Sequence, residues 1–457
     1  MKRKDLEKLD KATLVDLVLA QAERIASLEA RLLEMAARLE DVERRAMRGA
    51  APFSRGSGKP AGERKRPGRR KGHEGSRRDR PEDGTVNERI DVPLERCPAC
   101  DAALAAETDR ALTQWIVEVP PIVPRIVQLT THRNRCTACG QSASSSHPLQ
   151  VSGASGAAST HLGPRALAVA AWLRHALGMT MRKTCTALRE LLGISLSPGG
   201  LSQALDRMAG RLAGDRDELL ARMKAEPALH TDETSWFVGE PKSSLWVLTN
   251  KAGTYYRIVS SRSKAAAMEL MGDYRGVLVS DCLNIYDALT PTQQKCYAHH
   301  LKKISEALAG PDAGSTWLVE LRGLLKGAMA LKAAQGDLPA DQFANARRAL
   351  DASADRLLAI SRPGGEERVR KRIAKQRDHL FTFLDHDGVD ATNNLAERQL
   401  RPAVIARKLS CGNKTERGAR TWEILASIAA TCAQTSQNFI DQVENVMAGN
   451  LDLAEAR

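Results

Sequence analysis

Three acidic residues occupy positions that suit a shared metal site. Asp232 lies in a short strand-like run, Asp281 ends an apolar strand-like run, and Glu397 follows a pair of asparagines further along the chain. Carboxylates held close together repel one another unless a divalent cation lies between them, and hard oxygen ligands suit Mg²⁺ or Mn²⁺. Two such ions about 3.5–4 Å apart activate an attacking oxygen and stabilise a leaving one in phosphoryl transfer. The sequence therefore predicts a magnesium-dependent site formed by Asp232, Asp281 and Glu397.

Other titratable residues near these positions are rival candidates. Glu233 should face the opposite side of the strand from Asp232, and Asp287 lies about one and a half turns beyond Asp281. Both are therefore interpreted as supporting or surface residues. His299 is a candidate to touch the site, but we favour a position in the core or behind the metal ligands.

Four cysteines in two Cys-x-x-Cys pairs predict a zinc site. Four thiolates suit tetrahedral Zn²⁺, which stabilises domains too small for their own core. Between the pairs lie two strand-like runs, residues 114–119 and 125–132, which indicate a zinc-binding ribbon over residues 91–150. Whether this ribbon contacts DNA or is purely structural stays open. The predicted ligands are Cys97, Cys100, Cys136 and Cys139.

The charge distribution favours a polyanionic partner. The chain of 457 residues has 68 Lys and Arg against 55 acids, a formal charge of +13. Residues 48–90 form a basic, Gly- and Pro-rich stretch that predicts a flexible linker able to contact double-stranded DNA through its phosphates. A second basic group follows Glu397. The candidate DNA-binding residues are Arg64, Lys65, Arg66, Arg69, Arg70 and Lys71 in the linker, and Arg398, Arg401, Arg407 and Lys408 after Glu397.

The composition also argues against several protein classes. The first ten residues lack an apolar core, so we expect no secretory signal. The longest nearly apolar run, residues 422–433, is shorter than the roughly 20 residues that a membrane helix needs. Cysteine pairs at metal-ligand spacing indicate a reducing compartment rather than a disulfide framework. We therefore expect a cytoplasmic protein that binds no membrane.

A heptad repeat at the beginning of the chain predicts a coiled coil. Apolar residues recur at alternating spacings of four and three from Leu14 to Val42, with Gln21 as the polar exception. Self-association through residues 1–47 is the favoured interpretation. An amphipathic helix packed on its own chain would show a similar pattern.

The element order predicts a multidomain α+β chain that combines a coiled coil, basic linker and zinc ribbon with helical and catalytic domains. Residues 160–225 form a helical, helix-turn-helix-like DNA-binding domain in this prediction, although plain three-helix packing fits the pattern equally. Three strands, a helix and a fourth strand then indicate a ribonuclease-H-like α/β catalytic core over residues 226–420. A helical insertion is expected at about residues 311–386, and a C-terminal helical segment at 421–457.

Several short motifs follow one another in a fixed order along the chain. They are Arg66-Pro-Gly-Arg69, Lys71-Gly-His-Glu-Gly75, the four cysteines, Asp232-Glu-Thr234, Asp281 with Tyr286, Cys296-Tyr-Ala-His299 and Asn393-Asn-Leu-Ala-Glu-Arg398. This ordered set resembles the DDE transposases of the IS66 family of bacterial insertion sequences, and the resemblance covers nearly the whole chain.

This resemblance implies a function and a set of partners. Asp232, Asp281 and Glu397 would be the catalytic triad that holds Mg²⁺ or Mn²⁺. The implied reaction is cleavage at the 3′ ends of the element, followed by attack of the freed 3′-hydroxyl on target DNA. The implied partners are element ends, target DNA, a second copy of the chain and small accessory proteins of the same element. A catalytically silent DNA-binding protein derived from such a transposase is the alternative.

Overall fold

A computed structural model describes most of the chain. The described residues are 25, 78–104, 112–147, 149–150, 160–239, 242–289, 291–310 and 312–448. The predicted coiled coil, the basic linker residues from Arg64 to Lys71, and residues 449–457 lie outside them, apart from Ile25 in the coiled coil. Within the described ranges, no helix is long and apolar enough to cross a membrane.

The chain divides into two compact units, Phe53–Val123 and Met1–Pro52 with Pro124–Arg457. The smaller unit contains a short helical turn, Asp83–Thr85, and the Cys97–Cys100 turn. In the larger unit, β1 (Arg133–Arg135) and β2 (Ser142–Ser144) form an antiparallel hairpin around the second cysteine pair.

The two strands predicted between the cysteine pairs do not form as expected. Residues 114–119 and 125–132 contain no regular strand, and the hairpin begins only at Arg133. The apolar side chains of these runs are largely exposed, as Ile116 and Ile126 show. A short two-stranded ribbon without a covered apolar face is not stable, which explains why β-propensity alone misled here.

Helices precede the sheet as predicted. They are α1 (Pro164–Ala171), which continues as a π-helical turn at Trp172–Ala176, α2 (Met181–Leu192), α3 (Pro198–Arg211) and α4 (Ala213–Lys224). Thr180 and Ser197 cap α2 and α3 by accepting backbone N–H bonds, and Gly193 ends α2 in the left-handed conformation.

A five-stranded mixed sheet forms the centre of the larger unit. Its strands are β3 (Ala228–Phe237), β4 (Lys242–Asn250), β5 (Gly253–Val259), β6 (Val277–Ser280) and β7 (Thr292–Lys295), and α5 (Lys264–Met271) connects β5 to β6. The spatial order is β5–β4–β3–β6–β7, antiparallel across the first three strands and parallel across the last three. This arrangement is compatible with a ribonuclease-H-like core, as the strand pattern predicted.

Strand β7 is an element that the sequence did not predict. Its residues, Thr-Gln-Gln-Lys, include no apolar side chain, yet Gln293, Gln294 and Lys295 are all buried. Each finds polar partners. Gln293 donates to the Tyr286 carbonyl, and Gln294 accepts from the Phe383 N–H at 2.9 Å. Burial of polar groups is tolerated because these bonds replace those to water.

Helices from the rest of the chain complete the larger unit. They are α6 (Tyr297–Leu308), α7 (Thr316–Ala333), α8 (Ala340–Ala359), α9 (Gly364–Lys375), α10 (Thr382–Asp385), α11 (Asn394–Ser410), α12 (Glu416–Gln434) and α13 (Phe439–Ala448). Helices α7 to α10 are the predicted helical insertion, and they share one apolar core with α6.

Helices cover both faces of the sheet. Along β4, Trp246 and Leu248 pack with α4 and α5, whereas Leu245 and Val247 pack with α11 and α12. This alternation follows from the two-residue period of a strand. Helices α12 and α13 also pack against α1 and α3, so the C-terminal helices and residues 160–225 share a core.

Candidate active site

Strand pairing brings two of the predicted acids to the same place. Strands β3 and β6 run parallel, and the last aligned pair is His230 with Val279. Asp232 and Asp281 each lie two residues further on, and neighbouring strands are about 4.8 Å apart. Each carboxylate also accepts a local backbone bond: Asp232 Oδ1 from the Glu233 N–H at 2.8 Å, and Asp281 Oδ1 from the Leu283 N–H at 2.9 Å. Neighbouring strands therefore present both side chains at one end of β6.

The third acid, Glu397, is close enough for its charge to raise the pKa of Asp232. Glu397 occupies the first turn of α11 and its side chain is about one-third exposed. Burial raises the pKa of Asp232 to about 7, with further contributions from the charges of Glu233, Asp281 and Glu397. Such mutual repulsion is what a bound divalent cation relieves. These oxygen donors therefore fit Mg²⁺ or Mn²⁺.

The raised pKa makes a prediction about stability without metal. Asp232 ionises near its usual value of 3.8 in the unfolded chain but only near pH 7 in the folded one. The folded state thus binds more protons between these values, and stability falls as pH rises through that range. In magnesium-free buffer at pH 8 we expect Asp232→Asn to be more stable than wild type, by on the order of a few kcal/mol. The difference should vanish near pH 4.

Thermal denaturation at both pH values checks this expectation. Asp273→Asn is the matched control, because Asp273 is exposed and lies outside the site. Equal melting temperatures for wild type and Asp232→Asn at pH 8 would show that folding does not raise the pKa of Asp232.

Asn393 fixes the beginning of α11. Its side chain is fully buried, donates to the Thr231 carbonyl at 2.7 Å and lies 3.3 Å from His230 Nδ1. Its backbone N–H donates to Cys296 Sγ at 3.1 Å, and its carbonyl accepts from the Glu397 N–H. One residue therefore ties the helix that carries Glu397 to the strand that carries Asp232.

Substitution of the two adjacent asparagines should give different results. Asn393→Ala removes the amide that donates to the Thr231 carbonyl and lies beside His230 Nδ1, at a cost of roughly 1–3 kcal/mol. It should also displace Glu397 and weaken metal binding. Asn394→Ala is the control because the Asn394 side chain is exposed. Denaturation and Mn²⁺ titration of both variants test this, and equal behaviour of the two would contradict the assigned role.

Glu233 belongs to a buried polar network beside the triad. Its side chain is 1% exposed and accepts hydrogen bonds from Tyr286 Oη and Arg262. The position agrees with a supporting rather than a metal-binding role. The Tyr286 motif pointed to this network, but no local pattern indicated Arg262.

The basic residues after Glu397 differ in their surroundings. Arg398, Arg401 and Lys408 are exposed on one side of α11. Arg407 instead turns toward β3, where it donates to Thr234 Oγ1 at 2.9 Å and to Ser235 Oγ at 2.6 Å. These bonds hold α11 against the sheet, and a contact of Arg407 with DNA stays a prediction.

The two cysteine pairs have equivalent local geometry. The Cys97 N–H donates to the Ala102 carbonyl and the Cys136 N–H to the Gln141 carbonyl, five residues on in each case. Backbone N–H groups, chiefly those of Ala99 and Cys139, lower the pKa of Cys97 and Cys136. Each turn is therefore arranged to stabilise thiolates, which is the form that binds zinc.

Comparison with known proteins shows the family of the chain. A family model described as "Transposase IS66 family" matches residues 159–421, more than half of the chain and a range that includes all three acids. The chain belongs to the IS66 transposase family. Among curated proteins, Uncharacterized protein y4qI of Sinorhizobium fredii is 23% identical over 323 residues. The match covers 62% of this IS66-family chain and 58% of that relative, whose name assigns no activity.

Proposed function

We propose that this IS66-family protein is an active DNA transposase. It would bind the ends of its insertion element, cleave them at their 3′ ends and join them to target DNA. The observation that carries the proposal is the convergence of Asp232, Asp281 and Glu397, from two paired strands and a facing helix, in one charge environment. A catalytically silent DNA-binding derivative would have no need to retain three mutually repelling carboxylates.

The chain's own residues would hold and orient the reacting groups. Asp232, Asp281 and Glu397 would ligate Mg²⁺ or Mn²⁺. When bound, the metal activates the attacking oxygen and stabilises the leaving one. Asp232 must first release its proton, since its carboxylate is the ligand. Asn393 would keep α11 in place during both steps. In the first, water attacks the phosphodiester at the element end and releases the element's 3′-hydroxyl; in the second, that hydroxyl attacks a phosphodiester of the target DNA and displaces a target 3′-hydroxyl.

Exposed cations next to the triad would position the DNA. Arg398 directly follows Glu397, and Arg401 and Lys408 continue the same side of α11. Arginine pairs with phosphate oxygens through two parallel hydrogen bonds, which fixes the register of a strand. The basic linker would add affinity that does not depend on sequence. Self-association through residues 1–47 would bring two element ends together.

A labelled element-end assay tests the proposed reaction. Wild-type protein, with any accessory proteins encoded beside it, is mixed with end DNA and Mg²⁺ or Mn²⁺. We expect nicks at the 3′ ends and strand-transfer products that require the metal. DNA binding without cleavage under all these conditions would favour the silent DNA-binding alternative.

We further propose that the four cysteines hold one structural Zn²⁺. The purified protein should contain one tightly bound zinc per chain, and Cys136→Ser should lose it and destabilise the module. Metal analysis by mass spectrometry measures this. Cys185→Ser, at a cysteine of helix α2, is the matched control and should keep the zinc, and zinc retention in both variants would refute the assignment.

A further inference from the structure

A second group of potential metal ligands overlaps the candidate active site. One ligand atom each from Cys296, His299 and Glu397 lies within 4.8 Å of the other two. Cys296 precedes α6 and His299 lies in its first turn, opposite the first turn of α11. The reaction proposed above assigns no part to either Cys296 or His299, so their position beside Glu397 needs another explanation.

The surroundings of Cys296 suit a metal-bound thiolate. Its side chain is fully buried, and Sγ accepts the Asn393 N–H at 3.1 Å. Burial raises the pKa of the Cys296 thiol, and the backbone N–H groups of Asn393, His299 and Ala298 act in the opposite direction. N–H groups directed at a thiolate are the same feature that distinguishes the two Cys-x-x-Cys turns. A metal ion would displace the thiol proton, which burial otherwise retains.

His299 supplies an atom that lacks a partner. Nδ1 is buried and makes no hydrogen bond within the described part of the chain. Its nearest acidic atom, Glu397 Oε1, is 3.9 Å away, which is too far for a hydrogen bond. Around a tetrahedral zinc ion the nitrogen and oxygen ligands would be separated by roughly 3.4 Å, so a small side-chain movement would close the site.

We propose that Cys296, His299 and Glu397 form a second metal site, sharing Glu397 with the triad, for one thiophilic divalent ion such as Zn²⁺ or Co²⁺, with water as the fourth ligand. Sulfur and imidazole ligands select such ions over Mg²⁺. An ion held there takes Glu397 away from Asp232 and Asp281. Occupation of this site therefore inhibits the metal-dependent reaction, a consequence that rests on the proposed function.

Cobalt binding tests the site without DNA. Co²⁺ is added to the zinc-containing protein, and the visible absorption of tetrahedral, thiolate-bound cobalt is followed in wild type, Cys296→Ser, His299→Ala and the control Cys185→Ser. Wild type and control should bind one Co²⁺ with this spectrum. Cys296→Ser should lose the sulfur charge-transfer band, and His299→Ala should bind at least about tenfold more weakly. Because His299 is about one-third exposed, the second variant should fold even if the first does not.

The two experiments distinguish a failure of this metal site from a failure of the proposed function. Identical cobalt spectra and affinities in all four proteins, or no tetrahedral cobalt in any, would overturn the site. A separate arm measures DNA cleavage in Mg²⁺ with and without added Zn²⁺. Zinc should inhibit wild type at least about tenfold more strongly than His299→Ala. If the protein binds cobalt in this way but never cleaves DNA, the metal site is supported and only the proposed transposase activity is contradicted.

Discussion

Asp281→Asn is expected to lower the rate of DNA cleavage by about a thousandfold or more, because lost metal coordination removes several kcal/mol of transition-state stabilisation. The substituted amide would keep the size of the side chain but lose its charge. Protein stability and DNA binding should change little, because the exposed cations of α11 and the basic linker carry the phosphate contacts. Single-turnover cleavage of labelled element-end DNA measures the effect.

The matched control for this experiment is Asp273→Asn. It makes the same chemical change at an exposed residue before β6, outside the site. Its cleavage rate should stay within about twofold of wild type. If Asp281→Asn retained wild-type activity, the assignment of Asp281 to the metal site would be wrong.

Glu423→Ala is expected to lower the free energy of unfolding by roughly 3–5 kcal/mol, the largest stability effect of the substitutions considered. Glu423 lies on α12 with a side chain 4% exposed, 3.3 Å from the guanidinium of Arg216 on α4. It also accepts the Ile258 N–H of β5. Removal of the carboxylate leaves Arg216, itself 6% exposed, as a buried charge with its main counter-ion gone.

The ion pair itself contributes less than its disruption costs. Burial raises the pKa of Glu423 in spite of the Ile258 N–H and the nearby Arg216 and Arg257. Replacement of both partners, as Arg216→Met with Glu423→Leu, should therefore recover much of the lost stability. Chemical denaturation compares these proteins with Glu416→Ala, an exposed glutamate on the same helix, which should cost less than about 1 kcal/mol. If Glu423→Ala also lowered the free energy of unfolding by less than about 1 kcal/mol, the role assigned to the Arg216–Glu423 pair would be wrong.

Elements with a clear local composition could be predicted from the sequence because packing follows that composition. The β-rich run in residues 244–249 and the apolar run before Asp281 both become strands of the central sheet. The Ala- and Leu-rich insertion becomes α7 to α10. In each case most of the large apolar residues are buried, so local pattern and tertiary packing agree.

Elements that depend on partners distant in sequence could not be predicted in this way. Strand β7 is stabilised by polar bonds from buried glutamines, and nothing in its composition shows that such partners exist. The same applies to the side chain of Asn393, whose bonds reach β3 across more than 160 residues. The acids themselves were recognisable from their positions, whereas the residues that orient them were not.

The central claim is that Asp232, Asp281 and Glu397 form one metal site, and Mn²⁺ binding tests it most directly. Calorimetric titration at pH 8 compares wild type with Asp232→Asn, Asp281→Asn and Glu397→Gln, with Asp273→Asn as the control. The account predicts that each triad variant binds Mn²⁺ at least about tenfold more weakly, while the control binds like wild type. Unchanged affinity in any of the three triad variants would show that its carboxylate is not a ligand.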